Sequence, residues 1–151
     1  MTLNDKLEIK AHLVGELEIK IKTLKAQIEN LTIDAQNDAK GSAGDKHETG
    51  LAMMHLEQEK LSAKLSQTMQ QLKNVVSITT IAPHYAITFG SLVNTGTSIF
   101  FVSDALPHFN YQGKMILPLS TQAPIYIELK NKKAGDVLIF NGKTIKVLDV
   151  V

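Results

Sequence analysis

Two long apolar stripes in the first half of the chain restrict its fold more than any other feature. The first stripe recurs at alternating intervals of three and four residues, with one interval of seven. Its members are Leu3, Leu7, Val14, Leu17, Ile21, Leu24, Ile28, Leu31 and Ala35. Such a heptad repeat is typical of a helix that packs along another helix. The stripe therefore predicts a long helix with one face that requires a partner.

A second stripe with the same spacing supplies that partner. Its members are Leu51, Met54, Gln58, Leu61, Leu65, Thr68, Leu72 and Val75. Between the stripes lies the sequence KGSAGDKHETG at 40–50, which contains glycine, serine and threonine. A short turn containing glycine allows two helices to fold back on each other. We therefore predict an antiparallel coiled-coil hairpin over residues 1–78, with each helix about 45 Å long.

The sequence changes character near residue 78. All four prolines and every phenylalanine and tyrosine lie beyond it. Asn141 and Gly142 separate two alternating runs, which predicts a β-hairpin with a type I′ turn. Three further runs are rich in β-branched and aromatic residues or are short and apolar, which is typical of strands, and they cover 86–93, 97–105 and 114–120.

Residues 121–135 predict one short helix within this second half. Thr121 is the expected N-terminal cap, Pro124 lies just inside the start and Gly135 follows the end. The whole pattern indicates an α+β protein. A helical hairpin at 1–78 is followed by a small, mainly antiparallel β domain with one helix at 79–151.

Composition excludes several classes of function. All sixteen basic residues are lysine, so bidentate recognition of phosphate or guanine by arginine is absent. The net charge is +1 and aromatic residues make up 5%, which argues against a nucleic-acid stacking platform. The chain has no cysteine, no apolar run long enough to span a membrane and no signal-like N-terminus. We therefore expect a cytoplasmic protein that does not contact a membrane.

The second half also carries a family resemblance. FGSLV at 89–93 is similar to the pattern F-G-x-x-V, and residues 119–140 are similar to I-S-x-x-S-P-I-A-x-A-L-I-G-K-K-x-G-D-x-V. The matching positions of the longer run are Leu119, Ser120, Pro124, Ile125, Leu129, Lys132, Lys133, Gly135, Asp136 and Val137. On these residues the chain resembles, over nearly its whole length, the Gre family of bacterial transcript-cleavage factors, GreA and GreB.

The resemblance implies both a fold and a function. The family joins an N-terminal coiled-coil hairpin to a C-terminal domain of FKBP-like fold. The hairpin enters the secondary channel of a backtracked RNA polymerase, and the β domain docks at the channel rim. Two acids at the hairpin tip then help to hold a Mg²⁺ that is shared with the polymerase active site. The chain would stimulate RNA cleavage by the polymerase as a monomer, without being an enzyme, and would meet the nascent RNA 3′ end only indirectly.

Asp45 and Glu48 are the tip acids that the resemblance assigns to this metal. The family sequence D-N-A-E-Y-H becomes D-K-H-E-T-G here, so both acids are kept and the aromatic residue after the glutamate is lost. D-x-x-E is also a capping-box pattern, in which Asp45 would start the second helix. If Ser42 caps the helix instead, both acids are free to bind metal. Both alternatives are open at this stage.

Three lysines form a second candidate contact. Lys130, Lys132 and Lys133 would touch the polymerase or RNA, or would simply be solvated. Two other functions are also open. The altered tip is compatible with a regulator that occupies the polymerase channel without promoting cleavage. An FKBP-like peptidyl-prolyl isomerase or chaperone is disfavoured, because the active pockets of such isomerases are rich in aromatic residues.

Overall fold

The protein is described by a computed structural model that covers residues 1–38 and 44–151, without the side chains of residues 38 and 44–47. Two long helices precede a small mixed β-sheet domain, which confirms the predicted α+β class. The helices are α1, Leu3–Asp38, α2, Gly44–Val76, and the short α3, Pro124–Leu129. The strands are β1 Leu92–Asn94, β2 Ile99–Val102, β3 Phe109–Tyr111, β4 Lys114–Leu119, β5 Val137–Phe140, β6 Lys143–Lys146 and β7 Asp149–Val150.

The chain divides into two compact units. The helical unit, Gly15–Leu72, contains the greater part of both long helices. The β unit combines Met1–Val14 with Lys73–Val151, so it holds the first turns of α1, the end of α2 and all the strands. The predicted domain boundary at residue 78 assigns both complete helices to one domain, and it stays a prediction.

The helical unit buries the two predicted stripes. Leu17 and Leu24 are 3% and 4% exposed, and every other stripe member in this unit is at least half-buried. Apolar residues off the stripes are exposed instead, including Ile19 and Met53. The helices also share a polar contact, because Gln58 Nε2 donates to Thr32 Oγ1 at 3.1 Å. The predicted packing of α1 against α2 is therefore confirmed in this unit.

The first stripe is wrong at Leu7, near its N-terminal end. Leu7 is 50% exposed, whereas Lys6 and Ile9 are fully buried and Leu13 is 3% exposed. These first turns belong to the β unit, where β3 and the segment after α2 contact α1 from other directions. A heptad repeat identifies the face that meets another helix, and it does not identify the face that meets a sheet.

The β unit is built on a five-stranded sheet with the order β3-β4-β2-β1-β7. All of its pairs are antiparallel except β2 with β4, which is parallel, so the prediction of a mainly antiparallel domain is confirmed. The sequence did not indicate β3, and the predicted run after Gly142, which extends to residue 150, did not separate β7 from β6. The core lies between this sheet, α3 and the second sheet, and its buried members are Ile87, Val93, Val102, Leu119, Tyr126, Leu129, Leu138, Val147 and Val150.

β5 and β6 form a separate two-stranded hairpin. Asn141 and Gly142 lie between them with φ of 50° and 72°. Positive φ at both central residues is the signature of a type I′ turn, so this prediction is confirmed.

The predicted helix over 121–135 is shorter than expected. α3 covers only Pro124–Leu129, and its N-cap is Ala123, which makes no side-chain capping bond. Thr121 is therefore not the cap. Pro124 starts the helix because its fixed φ suits the first helical position. The chain leaves the helix at Lys130, and Asn131 then takes a left-handed φ of 65°.

Candidate functional site

The two tip acids lie in the first turns of α2. The helix starts at Gly44, so Asp45 is its second residue and Glu48 its fifth. An N-cap residue has non-helical backbone, so this start is against Asp45 as the cap. Ser42, the other candidate cap, lies outside the described residues. The side chains of Asp45 and His47 also lie outside the description, whereas the side chain of Glu48 is exposed.

The metal role of this pair stays a prediction. Within the described residues, no group of three or more histidine or acidic side chains is close enough to hold a metal ion. The predicted site would not be such a group, because it consists of two acids of this chain and further ligands from another protein. The donor chemistry itself fits, because Mg²⁺ prefers hard carboxylate oxygens.

The lysine cluster lies in the turn between α3 and β5. Lys130 and Lys133 are exposed and Lys132 is half-buried. The backbone of this turn is firmly bonded: Ile87 N–H donates to the Lys132 carbonyl at 2.8 Å, and Lys133 N–H donates to Asp136 Oδ2 at 2.7 Å. The fold therefore fixes the backbone positions of the three lysines. The side chains of Lys130 and Lys133 extend into solvent.

An apolar groove lies beside this part of the β unit, and sequence reasoning did not identify it. Its volume is about 610 Å³, and it is lined by Ala105, Leu106, Pro118, Leu119, Ser120, Gln122 and Ala123. Leu119 and Ser120 are also two of the positions that carry the family resemblance. No aromatic residue is among these lining residues, which differs from the aromatic pockets expected of an isomerase.

A polar junction holds the first turn of α1 within the β unit. Thr2 Oγ1 accepts from the Asp5 backbone N–H at 3.1 Å, and Asp5 Oδ2 accepts from the Thr2 N–H at 2.7 Å, which is a reciprocal capping box. The bond from the Thr2 N–H lowers the pKa of Asp5 below its usual value. The Met1 amino group pairs with Asp149 at 3.2 Å. The T-x-x-D spacing was the available sequence signal for this cap.

Tyr111 on β3 extends the junction. Its hydroxyl lies 2.7 Å from Glu8 Oε2 and 3.1 Å from Asp5 Oδ1. The hydrogen bond to Glu8, together with the negative charge of both acids, raises the pKa of the Tyr111 phenol well above its usual range. One turn further along α1, the His12 ring lies 4.2 Å from the ring of Phe109. These contacts orient the start of α1 on β3.

Lys6 is a buried cation in the same unit. Its side chain is fully buried, and Nζ has no hydrogen-bond partner among the described residues. Burial lowers the pKa of Lys6 to about 8. The pKa of His84 is lowered by the burial of its ring and, to a smaller extent, by the positive charge of Lys6. No sequence pattern indicated that either residue is buried. The heptad repeat placed Leu7, the neighbour of Lys6, on the buried face instead.

A short network holds His84 in place. His84 Nδ1 lies 2.7 Å from Ser91 Oγ, and Ser91 Oγ accepts from the Thr88 backbone N–H at 3.0 Å. The Ser91 hydroxyl is therefore able to donate its own proton to Nδ1, which suits a neutral imidazole. Gly90 leaves room for this ring, because a Cβ there would lie 3.4 Å from His84 Cε1 and 3.1 Å from Ile78 Cγ2.

Comparison with known proteins adds no relative to these observations. No model of a known protein family matches the chain, and no curated protein sequence matches it significantly. The described helices include none that is long and apolar enough to cross a membrane. The resemblance to the Gre family thus depends on the sequence patterns quoted above.

Proposed function

We propose that the protein is a Gre-type transcription elongation factor of the cytoplasm that stimulates cleavage of backtracked RNA by bacterial RNA polymerase. The observation that carries the proposal is the pair Asp45 and Glu48 at the start of α2 in a helical hairpin. The same chain has an α+β architecture and a C-terminal run similar to the family pattern. The FKBP-like fold of its C-terminal domain belongs to the proposal as well.

Each part of the molecule has its own role in this proposal. The helical hairpin reaches through the secondary channel, and the β unit docks at the channel rim, where the groove beside Leu119 and Ser120 offers apolar surface. Lys130, Lys132 and Lys133 contact the polymerase or RNA. The chain acts as a monomer and is not itself an enzyme.

Asp45 and Glu48 would hold the Mg²⁺ that is shared with the polymerase. Two carboxylates would supply only part of the ligands that Mg²⁺ needs, so the polymerase, its RNA and water would have to supply the others. The ion would polarise the scissile phosphate and lower the pKa of water. The task of the chain is to bring two carboxylates to the reacting centre, and an exposed Glu48 is compatible with that task.

The test uses backtracked elongation complexes of the polymerase from the same organism. Addition of the protein should release short 3′ RNA fragments, and Asp45→Ala and Glu48→Ala should each lower the rate by about a hundredfold or more, as expected when a group that stabilises the transition state is lost. Glu57→Ala is the matched control, because Glu57 is an exposed acid further along α2. It should cleave at the wild-type rate.

A channel-occupying regulator is the second candidate, and the loss of the aromatic residue after Glu48 favours it. In that case the wild-type protein and the two alanine variants would slow transcription equally and release no fragments. An isomerase would instead accelerate a proline-peptide assay, which we do not expect from a groove without aromatic lining residues.

A further inference from the structure

β5 has one open edge. Within the described chain it pairs with β6 alone, with Val137 opposite Lys146 and Ile139 opposite Thr144. The two-residue turn makes Phe140 and Lys143 a hydrogen-bonded pair, and such pairs alternate along an antiparallel ladder. Val137 and Ile139 are therefore the residues whose backbone N–H and C=O groups point away from β6.

The same two residues carry exposed apolar side chains. Val137 is 49% exposed and Ile139 is 67% exposed, while Leu138 between them is buried in the core. Natural edge strands are usually protected by charged residues, proline or a bulge. β6 has lysine at both ends, but Val137–Phe140 contains no charged residue. The free edge of β5 thus combines backbone groups that have no partner among the described residues with exposed apolar side chains.

The chain segment that contains this edge is basic. Residues 130–146 contain five lysines and a single acid, Asp136. Asp136 is already engaged, because its Oδ2 accepts the Lys133 backbone N–H at 2.7 Å. Lys146 lies directly opposite Val137. This charge favours an acidic occupant and disfavours a second copy, which would bring the same lysines to the edge.

From these observations we infer that the free edge of β5 binds an extended acidic segment of a partner protein as an added strand. The backbone of the segment would bond to Val137 and Ile139, and its apolar side chains would pack beside theirs. Its acidic side chains would lie within the field of the surrounding lysines. Nucleic acid fits less well, because the exposed face is aliphatic and offers no ring for base stacking. The inference is independent of the proposed action on polymerase.

The test measures binding of a labelled octapeptide of alternating valine and glutamate to the full chain. Fluorescence anisotropy should show binding at least about tenfold tighter than for the matched valine–lysine peptide, because the charge around the edge is positive. Ile139→Ser and Val137→Ser should each weaken binding by about tenfold, because each removes an apolar side chain that packs beside the added strand and neither adds a charge. Ile127→Ser is the matched control, because Ile127 is 71% exposed on α3, and it should leave binding unchanged.

A second readout locates the peptide. Amide hydrogen exchange at Val137 and Ile139 should slow when the acidic peptide is bound, and exchange along β6 should not change. Equal binding of both peptides, equal loss in all three variants or protection elsewhere would overturn the inference. So would tighter binding of a single-stranded RNA oligomer at this edge, or self-association in sedimentation velocity that Ile139→Ser abolishes.

Discussion

The two parts of α1 bury different kinds of side chain. In the helical unit the helix buries Leu17 and Leu24, and the other members of its stripe are half-buried. In the β unit the same helix buries Lys6 beside Ile9, and Asp5 and Glu8 bond to Tyr111. The helix α1 thus forms a mostly apolar seam with α2 in one unit and a mixed polar and apolar contact in the other.

The difference shows that the partner decides which face of a helix is buried. A second helix presents a straight groove, so residues spaced by three and four are covered in turn. A strand and a loop present no such groove. In the β unit, Lys10 Nζ donates to the carbonyls of Val76 and Ile78 at 2.8 and 2.6 Å, while Lys6 Nζ has no hydrogen-bond partner among the described residues. Two lysines one turn apart therefore have opposite effects on stability.

The largest expected effect tests which face of α1 is buried in the β unit. Ile9→Ala should lower the free energy of unfolding by about 2–5 kcal/mol, because it removes a fully buried side chain and leaves a cavity. Leu7→Ala should cost about 1 kcal/mol or less, since Leu7 is half exposed. Urea denaturation followed by tyrosine fluorescence measures both, because Tyr85, Tyr111 and Tyr126 all lie in the β unit.

The control for this comparison is the wild-type chain under identical conditions. The slope of the urea dependence should be the same for all three proteins. An equal or larger loss for Leu7→Ala would mean that the heptad stripe continues to the start of α1. The conclusion that Ile9, and not Leu7, lies on the buried face of α1 would then be wrong.

The next effect has the opposite sign and concerns Lys6. Lys6→Met should stabilise the protein by about 1–3 kcal/mol at pH 7, because it removes a buried cation for which the described part of the chain supplies no hydrogen-bond partner. The pKa of Lys6 is about 8 in the folded state and 10.5 in the unfolded chain. Between these values the unfolded chain holds more protons, so wild-type stability rises with pH. The advantage of Lys6→Met should therefore shrink from pH 8 towards pH 10.

Lys10→Met is the matched control for this pH dependence. Lys10 is bonded to two carbonyls, so its loss should destabilise the protein. Urea denaturation of the three proteins at pH 7 and pH 9.5 gives the comparison. A Lys6→Met protein that is less stable than wild type at both values would mean that the ammonium has a partner.

Elements with a local cause could be predicted from the sequence. The two stripes predicted α2 and most of α1, and Asn141–Gly142 predicted the hairpin, because a helix face and a type I′ turn depend on neighbouring residues. The strand β3 has three residues and β7 has two. Strands this short have no measurable periodicity, so they could not be predicted as separate strands. The extent of α3 was also misjudged, since Asn131 and Lys132 bond back to Ile87, which is more than forty residues away.

The candidate sites show the same limit. The resemblance identified Asp45 and Glu48, and the local clustering of positive charge identified Lys130, Lys132 and Lys133, so each candidate set lies within a few residues of the sequence. The groove lined by Leu106 and Ala123 and the proximity of Lys6 to His84 each require segments that are distant in sequence, and the open edge of β5 depends on which distant strands leave it unpaired. No spacing rule brings such segments together, so only the folded chain reveals them.

The smallest expected effect concerns Thr68, one of the two polar residues in the stripe by which α2 contacts α1. Thr68 is 1% exposed, and its hydroxyl donates to the Lys64 carbonyl of its own helix at 2.7 Å. That carbonyl lies one turn back, so it also accepts the regular helical bond, and the hydroxyl adds little. Thr68→Val should change the free energy of unfolding by about 0.5 kcal/mol or less, because the lost hydrogen bond is offset by an extra buried methyl group.

Thr68→Ala is the matched comparison, since it removes the hydroxyl and also leaves space in the seam, and it should cost more than the valine variant. Far-UV circular dichroism in urea reports on this unit, because its residues are largely helical. A loss above about 1.5 kcal/mol for Thr68→Val would exceed an ordinary hydrogen bond within one helix. The hydroxyl would then have to act across the seam on α1, and the helical unit would depend on polar contacts as the β unit does.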